Sequence, residues 1–152
     1  MNIQNKMFNW ALKKLTVREY SELELFKQLQ KKFECNDSKI IQEVINQLKD
    51  YNYLSNERYA ESRVKGLISK KYGPKMIKMK LFEKGINSDL AEMEISKHGQ
   101  LIQTNLQKLI SLKFKDSSFE EKNKLIHKLS NKGYDLDLIF VEIDKFLAKD
   151  IN

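Results

Sequence analysis

Two segments decide the fold: Lys84–Ile95, reading KGINSDLAEMEI, and Lys132–Ile143, reading KGYDLDLIFVEI. They agree at six of twelve positions (Lys, Gly, Asp, Leu, Glu and Ile) at an offset of 48 residues. The match continues upstream, where Ile77 and Leu81 correspond to Leu125 and Leu129. A third, looser copy runs through Leu25, Leu29 and Lys32, with Phe33 where the other two carry Gly. Each copy joins an apolar stripe of helical period to a polar cap for the next helix, and the two closer copies place a glycine stop between them. We therefore read an all-α chain, an elongated array of three tandem three-helix repeats over residues 1–54, 55–99 and 100–152. One such unit buries little core alone and gains stability by stacking on its neighbour. The competing reading is a compact helical bundle with chance similarity.

The individual helices follow from caps and periodicity. Met7, Phe8, Ala11, Leu12 and Leu15 mark a first helix. Ser21 with Glu24 forms a capping box ahead of Leu25, Leu29 and Phe33. Asp37 or Ser38 caps a helix carrying Ile41, Val44, Ile45 and Leu48. Ser55 or Asn56 caps the next, with Tyr59, Ala60, Val64, Leu67 and Ile68 inward. Gly73 and Pro74 suit a helix end and a new helix start, and Gly85 is the stop after Lys84. Asn87 or Ser88 precedes Leu90, Met93 and Ile95, all expected inward, as are Leu101, Ile102, Leu106, Leu109 and Ile110 of a seventh helix. Ser117 or Ser118 forms a second capping box with Glu120 or Glu121 before Leu125, Ile126 and Leu129. Gly133 ends that helix, and Asp135 caps a last one with Leu138, Ile139, Ile143, Phe146 and Leu147 inward.

Charge is concentrated in one place. The stretch from Arg63 to Lys84 holds eight basic residues and the single acid Glu83, a net +7, which equals that of the whole 152-residue chain. A stripe of this kind attracts phosphates or an acidic protein surface, whereas an ordinary solvated helix face alternates its signs. Lys71, Lys75 and Lys78 follow one another at i, i+4 and i+7, and Lys80 and Lys84 form a further i, i+4 pair. Candidate contact residues are Lys70, Lys71, Lys75 and Lys78, then Lys80, Lys84 and Arg63. Lys71→Glu with Lys75→Glu is expected to leave the fold unchanged. The tyrosines before and within the stretch, Tyr51, Tyr53, Tyr59 and Tyr72, either stack on bases or turn their rings inward.

Composition narrows the function classes. With 41% apolar residues a core can be built, and 5 Gly with 1 Pro are too few for a many-turned β protein. The single Cys35 forms no intrachain disulfide and fits a reducing compartment. The first ten residues lack the apolar core of a signal peptide, and no stretch suits a membrane span, so a cytoplasmic protein is expected. There is no Gly-x-x-x-x-Gly-Lys phosphate loop, and His98 and His127 lack partners at metal-ligand spacing. No paired acids suggest general acid–base chemistry. Neither an enzyme nor a cofactor is expected.

Three blocks of sequence also resemble the RecX family of bacterial RecA regulators. The first is Arg18-x-x-Ser21-x-x-Glu24-Leu25-x-x-x-Leu29. The second comprises Leu48 and Asp50, then Tyr53-Leu54-Ser55-Asn56-Glu57-Arg58-Tyr59-Ala60, and Lys71-Tyr72-Gly73-Pro74-Lys75-x-Ile77-x-x-x-Leu81-x-x-Lys84-Gly85-Ile86. The third is Leu125-Ile126-x-x-Leu129-x-x-Lys132-Gly133-Tyr134. Phe33 departs from a usual Gly, and Ser55-Asn56 stands where an acid is common. The resemblance implies tandem three-helix repeats, and a monomer that binds in the groove of the RecA–DNA nucleoprotein filament. There it would restrain ATP hydrolysis, strand exchange and coprotease activity. The alternative from the residues alone is a freestanding DNA-binding helical module. Its contacts would be non-specific and salt-sensitive, since lysines offer phosphates a point charge and do not read bases bidentately.

Overall fold

Short polar side chains set where the helices begin. In the computed structural model, which describes residues 2–114 and 118–151, Ser21 Oγ accepts from the Glu24 amide at 3.1 Å, opening helix α2 (Glu22–Lys32). Asp37 does the same for α3 (Ser38–Asp50), Ser55 for α4 (Asn56–Ser69) and Asn87 for α6 (Ser88–Ser96). Ser118 opens α8 (Phe119–Asn131), and Asp135 opens α9 (Leu136–Ile151). The alternative Ser117 cap lies outside the described residues. Helix α1 spans Ile3–Val17, α5 spans Pro74–Glu83 and α7 spans Gly99–Lys113. All regular structure among the described residues is helical.

The chain forms two compact units. The first takes Met1–Arg63 with Leu81–Leu90. Here α1 and α2 both lie against α3, around Met7, Ala11, Leu25, Leu29, Ile41, Val44, Ile45 and Leu48, each at most 1% exposed. The second takes Val64–Lys80 with Ala91–Asn152. In it α7 and α8 lie against α9, and Ile102, Leu106, Ile110, Leu129, Ile139 and Ile143 are buried.

Helix ends carry the repeat more faithfully than the letters do. Five helices close with a left-handed residue followed by an amide that reaches back five positions: Ile86 to Leu81, Tyr134 to Leu129, Cys35 to Gln30, Tyr53 to Leu48 and Tyr72 to Leu67. The left-handed residues are Gly85, Gly133, Glu34, Asn52 and Lys71. Two expectations change. In the first copy the position belongs to Glu34 (φ 48°) and not to Phe33, because α2 runs one residue further past its core leucine. At the end of α4 it belongs to Lys71 (φ 70°) and not to Gly73.

Gly73 is required for close approach. Its amide donates to the Lys132 carbonyl at 2.8 Å, and the Lys75 amide donates to the Gly133 carbonyl at 3.0 Å. A Cβ on Gly73 would lie 2.5 Å from backbone atoms of Gly133 and Tyr134. The start of the Lys132–Ile143 segment thus meets the basic corner through main chain.

Two further differences concern the core. Met93 and Leu101 are each 50% exposed, against the expectation of an inward place for both. Met93 sits about 200° round α6 from buried Ala91, so the two cannot share a face. The inward place belongs to Glu94, which accepts from Lys97. Its counterpart Glu142 is also buried, taking hydrogen bonds from Gln103 and Gln107 with Lys145 at 3.6 Å. Burial raises the Glu142 pKa, but these donors outweigh it and hold the carboxyl below the ordinary value. On α7 the inward place beside Ile102 is Asn105, while Leu101 sits on the flank. Finally, the Ser21–Glu24 box is half formed: the Glu24 carboxylate turns to Arg18 instead of its cap.

Candidate functional site

Lys70, Tyr72, Lys75 and Lys80 share the corner between α4 and α5, in the second unit. Lys70 and Lys75 are exposed. The half-buried Tyr72 ring has the Lys80 ammonium 5.2 Å from its centroid and the Lys132 ammonium 5.0 Å away. Lys132 Nζ also donates to the Lys70 carbonyl at 3.3 Å. Among the described residues none of these four lysines has a carboxylate partner. Two cations on one ring gain about 0.5–1 kcal/mol each, yet their mutual repulsion remains. A field of this kind is relieved by an incoming anion. Lys132 lies outside the stretch that charge density singles out. The signal that points to it is the repeat itself, since Lys132-Gly133 is the second copy of Lys84-Gly85.

The other members of the basic stretch have different surroundings. Lys71 is half-buried; its Nζ donates to Asn105 Oδ1 at 3.1 Å and its carbonyl accepts from the Tyr134 hydroxyl at 2.7 Å. Asn105 Nδ2 in turn donates to the Ile68 carbonyl at 3.0 Å. Lys71 is therefore a structural tie, so the premise of an exposed Lys71 behind the Lys71→Glu/Lys75→Glu expectation does not hold, and that pair should disturb the fold. Lys78 pairs with Glu92, so Lys71, Lys75 and Lys78 do not form one continuous exposed line.

Arg63 and Lys84 belong to the first unit, where they line a cavity of about 410 Å³ together with Arg18, Glu24 and Tyr59. Arg18 grips Glu24 with both terminal nitrogens, at 3.1 and 2.9 Å, and Lys84 Nζ stands 3.6 Å from the same carboxylate. Burial pushes the Glu24 pKa up, but Arg18 and Lys84 prevail and hold it below the ordinary value. The Arg18 guanidinium is correspondingly held more firmly protonated by Glu24. Tyr59 is 4% exposed; burial, then Glu24, push its hydroxyl up, while a hydrogen bond from Arg63 pulls the other way. Of the remaining tyrosines, Tyr51 and Tyr53 are 62% and 46% exposed and set edge-on to Phe8.

Comparison with known proteins gives a consistent result. A family model described as "RecX, second three-helix domain" matches residues 55–93. A "Regulatory protein RecX" of Legionella pneumophila (strain Corby) is 33% identical over 138 residues, covering 88% of this chain and 90% of that protein. One of Oceanobacillus iheyensis is 31% identical over 147 residues, covering 93% of this chain. The chain spans 53% of the length of that relative and 59% of a Streptococcus agalactiae relative. The crystal structure of RecX from Lactobacillus salivarius superposes with a TM-score of 0.80 at 29% identity, over 94% of this chain and 96% of that one. A second, titled "Crystal structure of regulatory protein RecX", shares the fold with a TM-score of 0.83 at 19% identity, over 93% and 72%.

Proposed function

This chain belongs to the RecX family, and on that premise we propose that it regulates RecA, mainly as an inhibitor. It binds in the groove of the RecA–DNA filament as a cytoplasmic monomer and restrains ATP hydrolysis, strand exchange and coprotease activity. The three repeats, divided after residues 54 and 99, span neighbouring filament subunits. The observation that carries this reading is the corner of Lys70, Lys75, Lys80 and Lys132 around Tyr72, with no carboxylate beside any of them among the described residues. Such a corner takes acidic protein surface or strand phosphates without reading sequence, because ammonium groups supply charge and no bidentate pattern.

The test is DNA-dependent ATP hydrolysis by RecA at fixed single-stranded DNA, titrated with this protein and with Lys70→Glu/Lys75→Glu. Both positions are exposed, so folding should shift by under about 0.5 kcal/mol. Two reversed charges should raise the concentration for half-inhibition by about tenfold, the equivalent of about 1.4 kcal/mol. Undiminished inhibition by the double variant would remove this corner from the interface. No inhibition by the native chain, with salt-sensitive binding to bare DNA, would favour the freestanding DNA-binding module.

A further inference from the structure

The cavity of the first unit holds an ion pair and a spare guanidinium. Arg18 donates to the Glu24 carboxylate and to the Glu19 carbonyl, and Lys84 lies within 4 Å of the same carboxylate. Glu19, also on the cavity wall, has its own partner in Arg58 at 2.9 Å. Arg63 is different. It donates to the Tyr59 hydroxyl, four residues back on α4, and among the described residues it has no carboxylate partner. A guanidinium carries five donors in a planar fork, so most of the capacity of this half-exposed side chain is open to a ligand from solvent. The lining residues carry three cations (Arg18, Arg63 and Lys84) against two acids (Glu19 and Glu24), an excess of one.

We propose that this cavity is a docking site for a single carboxylate side chain on an acidic protein segment, gripped by Arg63 and Lys84. It shares no residue with the basic corner and does not depend on that corner's role. The cavity already displays the recognition it would offer. Arg18 holds Glu24 in a two-point carboxylate clasp, and Arg63 presents a second fork of the same kind. The depressed Glu24 pKa is a second sign that a carboxylate is well held in this field despite partial burial. Glu24 and Glu19 also set the choice of ligand. A nucleic-acid strand carries charge every few ångströms and would bring further phosphates against these acids. One carboxylate on a flexible segment brings a single charge to Arg63 and Lys84, and the rest of the segment can turn away from these acids.

The probe is a fluorescein-labelled hexapeptide with one glutamate among glycines and serines, with binding to the full chain followed by anisotropy at low salt. It is measured in the Lys70→Glu/Lys75→Glu background so that the basic corner does not mask the result. Arg63→Gln in that background should weaken binding of the single-glutamate peptide by about tenfold, as loss of a charge-assisted pair implies. It should leave labelled oligo(dT) bound as before. Lys84→Gln gives the same comparison if Arg63→Gln shifts thermal unfolding. Equal binding of the single-glutamate peptide with and without Arg63, or no binding at all, would overturn the site. A parallel loss of oligo(dT) would overturn the carboxylate assignment in favour of phosphate.

Discussion

Gly73→Ala is the sharpest perturbation of the second unit. The added Cβ would lie 2.5 Å from the Gly133 carbonyl carbon and the Tyr134 amide nitrogen, and 2.6 Å from the Gly133 oxygen. All three are backbone atoms, so no side chain can swing aside, and the two turns must separate. Separation stretches the Gly73–Lys132 and Lys75–Gly133 hydrogen bonds, now 2.8 and 3.0 Å. Two lost hydrogen bonds cost about 2 kcal/mol together, and overpacking strain adds about 1–3 kcal/mol. The expected loss is therefore about 3–5 kcal/mol, or roughly 10 °C in melting temperature for a chain of this size. Thermal and urea unfolding followed by circular dichroism read it directly. Gly66→Ala is the control. Gly66 lies inside α4, and a methyl group added there would meet nothing within 4 Å, so the same change should stabilise by about 0.5–1 kcal/mol through helix propensity. A Gly73→Ala protein that melts with or above the native chain would refute the close-approach argument.

Two pH experiments follow from other groups. Glu24 has a folded-state pKa below its unfolded value, so its contribution is present above roughly pH 4 and is lost on acidification. Glu24→Gln should flatten the acid limb of the stability curve and also loosen Arg18, both visible in urea titrations across the acid range. Tyr134 is fully buried and its hydroxyl is pushed up to about 12 by burial. The unfolded chain releases that proton first, near pH 10, so stability should fall between the two values. Tyr134→Phe should make that fall shallower, leaving the part due to Tyr59, while costing about 1 kcal/mol at neutral pH through the lost bond to the Lys71 carbonyl. A Tyr134→Phe profile as steep as the native one would contradict the assignment.

What the sequence makes legible is what local chemistry decides. Ser21, Asp37, Asn87 and Ser118 cap helices because each side-chain oxygen meets an amide two or three residues on, an arrangement contained within one turn. The buried faces of α3 and α8 follow from period alone. Glu24 shows where this reasoning stops. Spacing assigns it to the Ser21 cap, but Arg18, six residues before it, and Lys84, sixty after it, offer a carboxylate stronger partners than a backbone amide. Asn56 is a similar case: available as a cap, it instead accepts from the Glu22 amide, and Ser55 takes the cap.

Lys71 is the position where reading charge as surface fails, and the reason is geometric. A left-handed lysine costs about 1–2 kcal/mol, and a glycine stands two residues on that would relieve it. Gly73 is not free for that duty, because its bare Cα is what lets the Lys132–Gly133 main chain come within hydrogen-bonding distance. The strain at Lys71 is offset by the Tyr134 hydroxyl on its carbonyl and Asn105 on its ammonium, from residues 63 and 34 positions away. The consequence is functional. The corner is fixed from beneath by α7 and by the turn between α8 and α9, so Lys70 and Lys75 project from a rigid base. A charge reversal at Lys70 or Lys75 therefore probes binding, whereas one at Lys71 probes folding. The two are distinguishable because the Lys71 variant alone should lower the melting temperature.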